Sequence, residues 1–133
     1  MRRWMMFAPL LLGACAGSYE PPRLTEKQTA ELEKALAGKV AGEKQNCIPM
    51  RPQSSFRAIS GNVVLYRMSG SLIYRNDLLG SCPGLTRGDT LILRTIGSQY
   101  CRGDIVSSAD LTTGMRTGSC ALGDFTPYRT AGK

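Results

Sequence analysis

From Phe56 to Tyr128 the chain is a series of short β-branched and aromatic runs punctuated by Gly, Ser, Pro and Asp, with no stretch of helical periodicity between them. A parallel sheet needs a crossover, usually helical, between successive strands, so this pattern argues for an antiparallel sheet and against the α/β classes. "NVVLYRM" (62–68) and "SLIYR" (71–75) flank Ser69-Gly70, the spacing of a two-residue hairpin turn. "TLILRTI" (90–96) and "QYCRGDIVS" (99–107) flank Gly97-Ser98 in the same way and predict a second hairpin. "FRAI" (56–59) and "ALGDFTPY" (121–128) add one strand at either end. The expected fold is mainly β: a small antiparallel barrel or sandwich, with one N-terminal helix against its side or end.

That helix is announced by Thr25-Glu26-Lys27-Gln28, the spacing of a capping box. Leu32, Leu36 and Val40 then recur at i, i+4 and i+8, a single apolar stripe on a helix ending near Gly38 or Gly42. Five acids balance five bases between Glu20 and Asn46, so residues 25–46 read as a neutral amphipathic helix and linker. Two turns of stripe are too few for a coiled coil. The β-domain occupies 47–133, and 133 residues leave room for no second domain.

Upstream, Met1-Arg2-Arg3 forms a short basic segment, followed by the uncharged run Trp4–Leu12 and the small residues Gly13 and Ala14. This is signal-peptide anatomy, and the run is too short for a bilayer span, which takes roughly 20 apolar residues. Leu12-Gly13-Ala14-Cys15 resembles a bacterial lipobox, in which Cys becomes the first mature residue and carries the lipid. Residues 1–14 are then the signal peptide, and 15–24 are the lipidated Cys15 with a Gly-, Ser- and Pro-containing tether. Ala16, which is not Asp, directs such a protein to the outer membrane. A soluble periplasmic protein is the fallback.

Cys47, Cys82, Cys101 and Cys120 remain after Cys15. An even number in an oxidising compartment predicts two disulfides, for which three connectivities exist. The gaps of 35, 19 and 19 residues lack the paired spacing of a four-Cys zinc site. The chain contains no histidine, which removes the usual general base, the commonest transition-metal ligand and the usual activator of Ser or Cys nucleophiles. No metal or other cofactor is expected.

Formal charge is +7, and residues 47–132 hold nine Arg and no Lys. Arg binds phosphate and carboxylate bidentately, so Arg67, Arg75, Arg94 and Arg102 are candidate anion-binding residues. With the turns placed as above, Arg67 and Arg75 fall on opposite faces of the first hairpin, and Arg94 and Arg102 on opposite faces of the second. That distribution reads as a solvated surface rather than a patch. Arg102-Gly103-Asp104 spells an integrin-type tripeptide by chance, and Asp104 with Asp124 lacks a spacing that marks a glycosidase pair.

At "AGEKQNCIP", "LIYRNDLLGSCPGL", "SQYCRGDIV" and "LGDFTPY" the chain resembles a family of small exported proteins and lipoproteins of Gram-negative bacteria with no assigned function. The family carries Cys-Ile, Tyr-x-Asn, Cys-x-x-Asp and Leu-Gly-x-Phe-x-Pro motifs, and the resemblance spans roughly 41–128. It implies a shared fold and compartment and supplies no catalytic residue. Some of its members lack counterparts of Cys82 and Cys120 together, which implies the pairs Cys47–Cys101 and Cys82–Cys120. The functional expectation is a non-enzymatic cell-envelope lipoprotein, a structural or interaction module in the periplasm. Its partners are the membrane, through the anchor, and an anionic envelope component or envelope protein; nucleic acid is not among them. An inhibitor or binder of an envelope-directed enzyme such as a lysozyme is the alternative, opposed by charge because common lysozymes are basic. A peptidoglycan-acting enzyme is the third reading.

Overall fold

The computed structural model describes residues 23–51 and 54–132; Cys15, the expected signal peptide and most of the expected tether lie outside them. Helix α1 (Glu26–Ala35) starts where the sequence predicts. Thr25 Oγ1 accepts the Gln28 N–H at 3.2 Å, and Gln28 Oε1 accepts the Thr25 N–H at 3.0 Å, so both halves of the capping box form. The helix stops sooner than the apolar stripe suggests. Gly38 turns the chain at φ 72°, where a side chain is disfavoured, and Val40 sits in the following strand, 60% exposed.

Ten short strands follow: β1 (Lys39–Ala41), β2 (Cys47–Pro49), β3 (Ser55–Ala58), β4 (Val63–Arg67) and β5 (Leu72–Asp77), then, after a 3-10 turn at Pro83–Arg87, β6 (Thr90–Leu93), β7 (Gln99–Cys101), β8 (Ile105–Ala109), β9 (Arg116–Ala121) and β10 (Phe125–Thr130). All pair antiparallel, in a five-stranded sheet β1-β10-β5-β4-β3, a three-stranded sheet β6-β8-β9 and the pair β2-β7.

The five-stranded sheet is the middle layer. One face carries Val63, Leu65 and Ile73, which pack with Ile59 against Leu32 of α1 and its neighbours Leu24, Ala35 and Leu36. The other face carries Val64, Tyr66, Tyr74 and Phe125, which meet Ile48, Val106, Leu122, Leu85 and the Cys82–Cys120 bridge. Each such side chain stabilises the fold by about 1.5–3 kcal/mol on full burial. Tyr66 also stacks with Phe56 and Tyr100, at centroid separations of 4.3 and 5.7 Å, and so ties β7 to the β3–β4 corner. β1 and β3 each pair on one side only. The strands therefore build a sandwich-like stack and no closed barrel. Both disulfides form as the resemblance implies, Cys47–Cys101 across β2 and β7, and Cys82–Cys120 between the 3-10 turn and β9.

Two details of the expected strand pairing are corrected. The first hairpin exists, but Arg67 pairs with Ile73 and Met68 N–H bonds to Leu72 O, so its register is offset by one residue from a two-residue turn at Ser69-Gly70. The second expected hairpin does not form. β6 pairs with β8, while β7 pairs with β2, because the 99–107 run breaks at Arg102-Gly103-Asp104. Gly103 adopts φ 90° there, and Asp104 Oδ2 accepts the Cys101 N–H at 2.8 Å, closing a tight turn inside what reads as one strand.

Candidate functional site

The register offset reverses the expectation for Arg67 and Arg75. Because side-chain direction alternates along a strand, a one-residue shift moves one arginine to the other face. Leu65 lies between Arg57 on β3 and Arg75 on β5, and Arg67 lies between Ser55 and Ile73. All six therefore project from the α1-bearing face of the five-stranded sheet. The short helix packs on Leu65 and Ile73 and leaves part of the face open.

Beside the helix lies a groove of about 330 Å³, walled by Ala35 at the end of α1, with Leu65 and Ile73 at its base, and lined by Lys39 from the β1 side and Arg57 and Arg67 from β3 and β4. Ser55 and Gly70 complete it, and no carboxylate takes part in the lining. Arg57 and Arg67 are exposed and Lys39 is half-buried. None of the three makes an ion pair among the described residues. Arg75 shares the face but is engaged by Asp77, through Nε at 3.1 Å and Nη2 at 2.9 Å.

The other two candidate arginines do not join this cluster. Arg94 lies with Arg116 beside a shallow hollow on the outer face of the three-stranded sheet, lined by Ile92, Ile105 and Ser107. Arg102 donates to Asp124 Oδ2 at 2.8 Å. Asp104 and Asp124 thus each have a local partner, one a backbone N–H and the other a guanidinium. Arg57 and Lys39 escape the sequence reading. Arg57 stands in a run already assigned to a strand, but its face is unreadable until the pairing partner is known. Lys39 follows Gly38, whose turn ends the helix and sends the chain into a strand with no pattern of its own.

Two titrations are set by local structure. Burial, with the neighbouring Tyr66 adding to it, raises the Tyr100 phenol above its ordinary value of 10.0. The Asp110 carboxyl is lowered, chiefly by the Thr112 backbone N–H that donates to Oδ1 at 2.8 Å. Among the described residues no three His, Cys, Asp or Glu side chains gather as a metal site would require, and the four cysteines there are all disulfide-bonded.

No protein-family model, curated protein or solved structure matches the chain. Among the described residues the groove gathers three cations, Lys39, Arg57 and Arg67, with no carboxylate in its lining, against two, Arg94 and Arg116, in the hollow on the three-stranded sheet. The groove offers two guanidinium groups and an ammonium as donors beside an apolar base.

Proposed function

We propose that the protein is a non-enzymatic lipoprotein of the cell envelope, anchored through Cys15, whose β-domain holds an anionic envelope component in the Lys39–Arg57–Arg67 groove. Three cations that make no ion pair among the described residues, sharing a groove with no carboxylate in its lining, carry the reading. Like charges brought together on a small domain repel each other, and an anionic ligand removes that cost while gaining charge-assisted hydrogen bonds. The lipobox resemblance at 12–15 supports a periplasmic domain, and Ala16 after the anchor favours the inner leaflet of the outer membrane. Two disulfides suit that oxidising compartment. The resemblance to small exported proteins of Gram-negative bacteria points the same way.

The test is equilibrium binding of glycerol phosphate and of succinate to the protein purified from its native membranes in a neutral detergent, at fixed ionic strength. The triple variant Lys39→Gln/Arg57→Gln/Arg67→Gln serves as the comparison. At least one anion should bind, and the variant should lose tenfold or more in affinity. Absence of binding, or binding unchanged in the variant, overturns the groove as the site.

A further inference from the structure

The number and placement of the cations narrow the ligand beyond its charge. Arg57 pairs with Leu65, two residues from Arg67, so the two arginines are diagonal neighbours on adjacent strands, with roots about 7–8 Å apart. Two guanidinium arms starting that far apart can close on a single small group. A carboxylate has only two oxygens, and one guanidinium satisfies both in a fork-to-fork pair, leaving the second arginine and Lys39 uncompensated. A phosphate monoester carries three terminal oxygens and close to two charges, which suits two guanidinium forks together, while Lys39, from the β1 side of the groove, adds positive field. The Ser55 hydroxyl, directly across from Arg67 in the register, adds a neutral donor on the same side.

The base of the groove narrows the choice further. Leu65 and Ile73, 3% and 8% exposed, offer no partner to a second charge, so the part of the ligand beside the phosphoryl group is small and uncharged. A volume of about 330 Å³ matches a headgroup-sized molecule and lies at the small end of ligand cavities. Gly70 in the β4–β5 loop has no neighbour within 4 Å of where a Cβ would stand, which leaves the mouth open on that side.

Resting on the anion-binding reading above, we propose that the groove binds a phosphate monoester on a small, uncharged carrier, either the headgroup of a monoester phospholipid or a free phosphorylated polyol. Binding is measured by calorimetry on the detergent-purified protein, at constant ionic strength because exposed charges are screened. Glycerol phosphate should bind at least tenfold more tightly than succinate, and Arg57→Gln and Arg67→Gln should each weaken it about tenfold. The surface variant Arg129→Gln should leave it unchanged.

Detergent micelles doped with phosphatidic acid distinguish the two sources. Displacement of glycerol phosphate by the doped micelles supports a lipid headgroup as the ligand, and undisturbed binding supports a free phosphomonoester. Equal displacement by phosphatidylglycerol, a diester, overturns the monoester assignment. Succinate binding as tightly as glycerol phosphate also overturns it, and leaves the anion-binding reading standing. If neither anion binds, both fall.

Discussion

Asn76 shows how much of this fold rests on single polar contacts in dry places. Its side chain is fully buried, donating to Gly123 O at 2.8 Å and accepting from Gly123 N–H at 2.9 Å, so one amide satisfies both backbone groups of the residue that leads into β10. Position 123 has to lack a Cβ, which would stand 2.0 Å from the Asp77 carbonyl oxygen. Asn76→Ala strands two buried backbone groups, and we expect a loss of about 2–4 kcal/mol in equilibrium denaturation. A loss under about 0.5 kcal/mol would mean that water replaces the amide. Tyr100 makes a prediction of opposite character, in pH rather than sequence. Its folded pKa lies above the ordinary 10.0, so the folded state holds the phenolic proton more tightly than the unfolded chain. Its contribution is therefore intact below about pH 10 and is lost as pH rises through the raised value. Denaturation midpoints followed together with tyrosinate absorbance should fall in that window, and Tyr100→Phe should flatten the decline. An unchanged slope in the variant would assign the alkaline loss to other groups.

At the scale of elements, what was legible in the sequence followed from local chemistry, and what was not depended on partners distant in the chain. The capping box at Thr25 and Gln28, the β4–β5 hairpin and the strand character of the runs are all set within a few residues. The hairpin register is set by the loop conformation between Arg67 and Ile73, and with a side-chain period of two a single-residue difference moved Arg67 and Arg75 from opposite faces to one. The candidate groove was invisible for that reason. β7 was misplaced because its partner, β2, lies fifty residues upstream and is only three residues long, held by Cys47 opposite Cys101. The disulfides accordingly divide the labour. Each closes a long loop and should contribute about 4 kcal/mol by restricting the unfolded chain. Cys82 and Cys120 also fill the main core, so Cys82→Ala/Cys120→Ala adds a packing loss and should lower global stability by more than that. Cys47→Ala/Cys101→Ala removes a half-buried bridge at the margin, and hydrogen exchange should show β2 and β7 opening while the five-stranded sheet stays protected. Uniform loss of protection in both variants would show that the β2–β7 pair unfolds only with the whole domain.

For the molecule as a whole, the layers explain where charge and anchor stand relative to each other. Of the formal +7, Arg2 and Arg3 carry two charges and residues 47–133 carry the other five, while the segment carrying α1 is neutral. α1 thus covers one face of a basic domain without cancelling its field, and leaves the groove open at its C-terminal end. Seven residues separate Cys15 from Arg23, eight steps of the backbone and a reach of at most about 28 Å when extended. With the proposed lipid on Cys15, the domain stays within that distance of the bilayer surface, and the groove is held where headgroup-sized anions are concentrated. The effective concentration of such a ligand would then be set by the tether rather than by free diffusion. All of this depends on the chemistry of one thiol, so the decisive measurement is the intact mass of the protein extracted from its native membranes, before and after reduction. The expected mass is that of a chain starting at Cys15 with acyl groups attached, rising by about four hydrogens as both disulfides open. A lipid-free mass would detach the domain from the membrane. The groove would then have to draw its ligand from solution, and the balance between the two phosphomonoester sources would turn to the soluble one.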